Sequence, residues 1–217
     1  MPEILKYVNN WRETHDFSLD IFNIGGGFGI QHTLDEPSVS TVAQLKKISE
    51  ELMELLDEYE IPYPEVWIEP GRSIVGPAGV TIYEIGSQKV VPNVRHYVSI
   101  NGGMTDNIRP SLYDAKYTAL LANRMQSEAD TVVSIAGKAC ESGDMLINEL
   151  DLPKVQAGDK LAVLNTGDYT FAMASNYNRI PRPAVVFVED NKEFLAIRRE
   201  IPEDFMRFEQ FLPKNDI

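Results

Sequence analysis

The sequence predicts an α/β segment over residues 1–78 followed by an antiparallel β domain over residues 79–217. Three observations predict this. Before about residue 78, apolar stripes at helical spacing alternate with short apolar runs that stop at glycine. Beyond it, the pattern switches to short alternating stretches separated by Gly, Pro, Asn and Asp turns. No flexible linker, internal repeat or low-complexity stretch separates the two parts.

Residues 1–15 place Ile4, Leu5, Val8 and Trp11 at helical spacing. LDIFNIGGGFGI, residues 19–30, reads as a buried strand that runs into a glycine loop. From Val42 to Tyr59 the residues Val42, Leu45, Ile48, Leu52, Leu55 and Leu56 form one stripe, with Lys and Glu opposite. EVWIEPGR, residues 65–72, is a second short strand that stops at Pro-Gly. Helix, strand, helix, strand is the order of a parallel α/β unit. Two such strands cannot close a sheet or a barrel, and their edges and apolar faces would be exposed. The sequence is therefore expected to begin in the middle of a fold. The β stretches expected beyond it are Gly79–Val91, His96–Ile100, Thr131–Ala136, Lys160–Asn165, Ala184–Val188 and Glu193–Arg198, with one helix at 111–123.

The totals narrow the function. A 217-residue chain that is 43% hydrophobic can bury a sizeable core. A formal net charge of −13 argues against a nucleic-acid surface, which needs clustered Lys and Arg. No apolar run approaches the roughly 18 residues of a membrane span, and MPEILKYVNNWRE has neither a basic nor an apolar signal region. The single cysteine, Cys140, excludes an internal disulfide and fits a reducing cytoplasm. His15, His32 and His96 share no metal-ligand spacing, so no metal is expected.

Four motifs carry chemistry. Gly25, Gly26 and Gly27, with Gly29 close behind, follow a strand directly; glycines there let backbone N–H groups approach a phosphate, or simply make a tight turn. Glu69-Pro70-Gly71-Arg72 ends the next strand, where parallel α/β folds carry their chemistry. A carboxylate there can hold a ring nitrogen protonated, and a guanidinium can grip a phosphate or carboxylate; a structural ion pair is the other reading. In NGGMTDNIRPSLYDAKY, residues 101–117, Arg109 and Tyr113 fall one helical turn apart and together could grip a carboxylate. In GKACESGDML, residues 137–146, Cys140 beside Glu141 could act as an acid, although a lone cysteine is more often an inert buried residue. Tyr169 follows a further glycine turn, where its phenol could meet a phosphate or merely pack.

In their order GGGFG, EPGRSIV, GGM-x-D-x-x-RP-x-LY, G-x-x-CESGD, G-D-Y and YN-x-x-PRP, these motifs resemble the pyridoxal-phosphate-dependent decarboxylases with an alanine-racemase-like barrel and a β domain. Within that family the RPSLY and CESGD strings are most similar to the diaminopimelate decarboxylases. The resemblance covers nearly the whole chain but about half of the family's length.

The resemblance implies that residues 1–78 are the C-terminal remnant of a (β/α)8 barrel that binds pyridoxal 5′-phosphate. Residues 79–217 would be an antiparallel β-barrel or sandwich domain. It implies that Gly25, Gly26, Gly27, Gly71 and Arg72 bind the cofactor phosphate, and that Glu69 faces the pyridine nitrogen. Arg72, Arg109, Tyr113, Glu141 and Tyr169 would bind substrate, with Tyr169 also contacting the phosphate. Cys140 would be the proton donor, and in this family it and Glu141 reach across a homodimer interface to the partner's cofactor. The activity implied is conversion of meso-2,6-diaminopimelate to L-lysine in the cytoplasm. The alternatives are decarboxylation of another basic amino acid or of carboxynorspermidine, or a non-catalytic regulatory homologue.

Three departures stand out. Asp168 replaces the family's usual alanine before Tyr169, and Ala139 replaces a frequent cysteine before Cys140. No lysine, Lys116 and Lys138 included, stands in a context matching the family's cofactor-linking lysine, which would precede residue 1. The chain alone is therefore expected to be inactive.

Overall fold

The computed structural model describes residues 1–210, and the chain divides into two units, Met1–Gly79 and Val80–Ile217. Residues 211–217, the end of the expected β domain, lie outside the described residues.

In the first unit, helix α1 (Pro2–His15) starts with proline, whose missing N–H costs nothing in a first turn, and ends at Asp16 in the left-handed region. Strand β1 (Ile21–Asn23) follows. Helix α2 (Thr41–Glu58) is capped by the Ser40 hydroxyl, which accepts from the Ala43 N–H at 3.2 Å. Strand β2 (Glu65–Trp67) lies parallel to β1, with Phe22 opposite Val66, and the short helix α3 (Arg72–Val75) closes the unit. Leu5, Phe22, Leu52, Leu56 and Ile61 form its core. Only the lower half of the expected α2 stripe is buried, since Val42 stays 77% exposed. Ile21, Val66 and Trp67 of the strand pair are also exposed.

The second unit is built on a six-stranded sheet. Its members are β3 (Thr81–Val91), β4 (Arg95–Ile100), β5 (Ala119–Leu121), β6 (Thr131–Ala136), β7 (Met145–Leu152) and β8 (Lys160–Val163), in the order β5-β8-β3-β4-β6-β7. Its two edge strands, β5 and β7, approach each other, so the sheet is nearly closed. Helix α4 (Arg109–Tyr113) stands between β4 and β5. Ile85, Val98, Leu121, Ile135, Leu161 and Val163 are all at most 1% exposed inside it, each contributing about 1.5–3 kcal/mol by leaving water. A hairpin of β9 (Val185–Glu189) and β10 (Lys192–Ile197) follows, turning through Asp190 and Asn191, both left-handed as a two-residue hairpin turn demands. Helix α5 (Pro202–Met206) is the last described element.

Three expectations are corrected. The sheet is mixed rather than antiparallel, because β4 and β6 pair in parallel with Ser99 opposite Ala136. Alternation marks a strand but says nothing of its neighbour's direction. The helix expected at 111–123 ends at Tyr113: Asp114 turns left-handed at φ 51, and residues 119–121 pair with β8 instead. Strand β7 had no counterpart in the sequence reading, because its pairing with β6 is interrupted by register shifts that break the alternation.

Candidate active site

Each unit carries one group of the expected residues. In the first, the parallel pairing of β1 and β2 brings their carboxyl ends side by side. The Ile24 N–H donates to the Trp67 carbonyl at 3.0 Å, and the Glu69 N–H to the Gly25 carbonyl at 2.8 Å. The glycine turn and the Glu-Pro-Gly-Arg corner therefore touch through backbone. Gly26 is required for that approach, since a Cβ there would stand 2.4 Å from the Glu69 carbonyl oxygen. Asn23 organises the rest: its amide donates to the Glu69 carboxylate at 2.7 Å, and its Oδ1 accepts from the Gly25 N–H at 2.8 Å. The Gly71 carbonyl accepts from the Ile74 N–H at 3.0 Å, and Arg72 opens α3 beside it.

This donor set fits pyridoxal phosphate. A Cβ on Gly25 or Gly27 would meet nothing within 4 Å, so open space lies against the turn. Backbone amides and a guanidinium suit a phosphate, and an oriented carboxylate suits a protonated ring nitrogen. The unit's lysines, Lys6, Lys46 and Lys47, lie on α1 and α2 rather than at the strand ends.

In the second unit the parallel seam between β4 and β6 has the same effect. Both strands end together, so segments 101–109 and 137–144 leave the sheet on one side. The Lys138 N–H donates to the Gly102 carbonyl at 3.0 Å. The first segment leads into α4, where Arg109 is 8% exposed. Its guanidinium lies 5.6 Å from the ring centres of both Tyr113 and Tyr169, a distance at which a cation is held by an aromatic face. Tyr169 takes a left-handed backbone, φ 50, that a side chain of its size adopts at a cost of about 1–2 kcal/mol. Neighbouring bonds hold that turn: the Thr170 hydroxyl donates to the Thr166 carbonyl, and the Thr81 hydroxyl donates to the Thr166 hydroxyl at 2.8 Å. Beneath Arg109, burial pushes the Tyr117 phenol up, with the Asp168 carboxylate adding to the rise and the guanidinium opposing it.

The second segment carries Cys140 and Glu141, both exposed. Glu141 folds back onto its own loop, its Oε1 accepting from the Gly143 N–H at 3.1 Å. The loop is fastened to α4 through the Ser111 hydroxyl, which donates to the Gly143 carbonyl at 2.5 Å. It is fastened to segment 101–109 through Asp144, which is 4% exposed. Asp144 Oδ1 accepts from the Met104 N–H at 2.6 Å and Oδ2 from the Ala139 N–H at 2.8 Å. A Cβ on Gly137 would stand 2.1 Å from that carboxylate, so glycine is needed there.

Asn23, Asp144 and Asn178 were not singled out in the sequence. Each is a polar side chain bonded to backbone, and Asn178 accepts from the Cys140 N–H at 2.7 Å. The signal available was the last letter of CESGD for Asp144 and the YN preceding PRP for Asn178. Asp168, the departure noted above, is 7% exposed.

Residues 14–167 match the family described as pyridoxal-dependent decarboxylase, C-terminal sheet domain. The diaminopimelate decarboxylase of Bacillus subtilis is 53% identical over 207 residues, covering 95% of this chain and 47% of that enzyme. That of Bacillus methanolicus is 52% identical over 198 residues, covering 91% and 46%. Among solved structures, diaminopimelate decarboxylase from M. jannaschii in complex with L-lysine superposes with a TM-score of 0.86 at 30% identity, covering 98% of this chain and 47% of that one. The chain thus spans about half the length of the curated relatives it matches. With the strand-end glycines, the Arg109 clamp and the Cys140 loop all in the matched stretch, the chain belongs to the pyridoxal-dependent decarboxylases, as their C-terminal sheet domain family.

Proposed function

We propose that the protein decarboxylates meso-2,6-diaminopimelate to L-lysine, using pyridoxal 5′-phosphate, as a cytoplasmic homodimer. In this reading residues 1–78 are the closing part of a cofactor-binding (β/α)8 barrel and residues 79–217 the β domain. The similarity to enzymes named diaminopimelate decarboxylase supports it, as does a relative's structure holding L-lysine.

Gly25, Gly26, Gly27, Gly71 and Arg72 hold the cofactor phosphate, and Glu69, oriented by Asn23, holds its ring nitrogen protonated. Bound there, pyridoxal phosphate supplies an electron sink for breaking a bond at the substrate α-carbon. Arg109 grips the distal carboxylate, with Tyr113 and Tyr169 flanking it; Glu141 meets the distal amine. Tyr169 also contacts the phosphate, and Arg72 the substrate. Cys140 donates the proton that replaces the departing carboxylate. The outward position of Cys140 and Glu141 suits a thiol that serves the partner's cofactor.

One observation carries the substrate assignment: an arginine only 8% exposed whose guanidinium lies 5.6 Å from two aromatic rings. A substrate lacking the distal carboxylate forgoes the ion pair with that buried charge. Carbon dioxide release by the intact protein should be measured with meso-diaminopimelate, ornithine, lysine and carboxynorspermidine. Arg109→Ala should lower kcat/KM for diaminopimelate by at least about 100-fold. Preference for a singly carboxylated diamine substrate would assign one of the other basic amino-acid decarboxylases. No release with any substrate would leave the non-catalytic homologue.

A further inference from the structure

The Cys140 loop is exposed, yet two consecutive backbone amides in it are claimed by side chains. The Ala139 N–H donates to Asp144 Oδ2 at 2.8 Å, and the Cys140 N–H donates to Asn178 Oδ1 at 2.7 Å. Asp144 belongs to the loop's own far end. Asn178 comes from 38 residues downstream.

The segment presenting Asn178 is itself anchored. The Ser175 N–H donates to the Thr105 carbonyl at 2.9 Å, tying it to the segment that leads into Arg109. The Asn176 amide donates to Glu200 at 2.6 Å, and Glu200 also accepts from the Arg182 backbone N–H at 2.8 Å and from its Nε at 2.7 Å. Arg179 pairs with Glu209 at 2.7 Å. Between these anchors, Asn178 and Arg179 are both left-handed, φ 54 and 58. Two such residues in a row are costly for side-chain-bearing positions. Asparagine tolerates the first, and the turn it makes is what brings Oδ1 to the Cys140 amide.

We propose that Asn178 is a positioning residue for the Cys140 thiol, holding its loop at the Cys140 amide while Asp144 holds the neighbouring amide of Ala139. Two adjacent amides fixed to separate supports leave the intervening backbone little freedom to rotate. The direction of the Cα–Cβ bond of Cys140 is set by that backbone, so the clamp aims the thiol. The inference rests on the reading of Cys140 as the proton donor.

Asn178→Gly is the decisive variant, because glycine adopts φ 54 without strain and only the acceptor is lost. Asn178→Asp keeps an acceptor at the same reach. Amide hydrogen exchange in the intact protein should be at least tenfold faster at Cys140 in Asn178→Gly. Amides in β6 and β7 should be unchanged, and Asn178→Asp should retain the protection. With diaminopimelate, Asn178→Gly should lower kcat at least tenfold and leave KM within twofold; a packing role alone would not separate the two. Unchanged exchange at Cys140 in the glycine variant, or a KM rise without loss of kcat, overturns the proposal. Cys140→Ser tests the underlying reading apart from it. Full turnover in that variant removes the proton-donor assignment, whatever exchange at position 140 shows.

Discussion

The Arg109 guanidinium stands 5.6 Å from the centre of the Tyr169 ring, although one belongs to α4 and the other to a turn after β8. The Tyr113 ring lies at the same distance. A cation held by two aromatic faces loses about 0.5–2 kcal/mol of orientation when one is removed. Tyr169→Ala should therefore raise KM for diaminopimelate about tenfold. Tyr169→Phe retains the face and should raise it less than threefold. Steady-state kinetics on both variants checks this; equal effects would assign the phenol oxygen, not the ring.

Asn23 should matter to the cofactor without touching it. Asn23→Ala removes the donor that orients Glu69 and the acceptor that holds the Gly25 N–H. The affinity for pyridoxal phosphate should fall about tenfold, since each such bond contributes roughly 1 kcal/mol. Asn23→Asp should be worse, because it sets two carboxylates against each other. Spectrophotometric titration of the apoprotein measures both.

Gly26 and Gly29 should respond oppositely to alanine. A Cβ at Gly26 meets the Glu69 carbonyl at 2.4 Å, whereas at Gly29 the nearest atom is Val39 Cγ1 at 3.8 Å, an ordinary contact. Gly26→Ala should destabilise by about 1–3 kcal/mol and abolish cofactor binding. Gly29→Ala should stay within about 0.5 kcal/mol of wild type. Denaturant unfolding and cofactor titration give the comparison.

Asp159 links stability to pH in the usual acidic direction. It is 6% exposed. Burial pushes its carboxyl up, but bonds from Asn123 at 2.9 Å, from the Gln156 N–H at 2.8 Å and from Arg124 more than offset this, and the net shift is downward. A depressed carboxyl stabilises above its unfolded value, about 3.9, and that stabilisation disappears as pH falls through the lower folded value. Asp159→Asn should lose about 1–3 kcal/mol at pH 7. Its urea midpoint should also change less than wild type between pH 5 and pH 2.

Asp106 works in the other sense. Burial raises its carboxyl, and the Gly103 N–H at 3.1 Å only partly opposes the rise. Its charged form therefore opposes folding above the raised value, and the penalty is relieved as pH falls through it. Asp106→Asn should be at least as stable as wild type at pH 8, by up to about 1 kcal/mol. The advantage should shrink at pH 5 in the same urea measurement.

Strand ends were the legible part of the sequence. Apolar runs that stop at Gly25 and at Pro70 locate the carboxyl ends of β1 and β2, because glycine and proline interrupt regular backbone whatever surrounds them. Arg109 and Tyr113 were readable as a pair for a similar reason, since helical spacing is local. Tyr169 joining them from the turn after β8 was not, because no spacing rule connects that turn to α4. The helix expected over 111–123 failed at Asp114, where a left-handed turn and the pairing of 119–121 with β8 overrode local propensity. Asn23, Asp144 and Asn178 escaped because each accepts from a main-chain N–H, which every residue but proline has.

Joining β4 to β6 in parallel has a kinetic consequence. The hairpin β3–β4 and the pair β6–β7 can form from sequence neighbours, but a parallel contact cannot be made until the chain between Ile100 and Thr131 has looped back. Contacts of that separation are slow to form. The seam is thus expected to close after both neighbouring pairs during refolding, and the β3–β8 pairing, Thr81 opposite Val163, later still. Until the seam closes, neither the arginine clamp nor the thiol loop exists in working form, and pulse-labelled exchange should find the Ser99 and Ala136 region protected after both neighbouring pairs. Regain of activity would then report one late event rather than the gradual growth of the sheet.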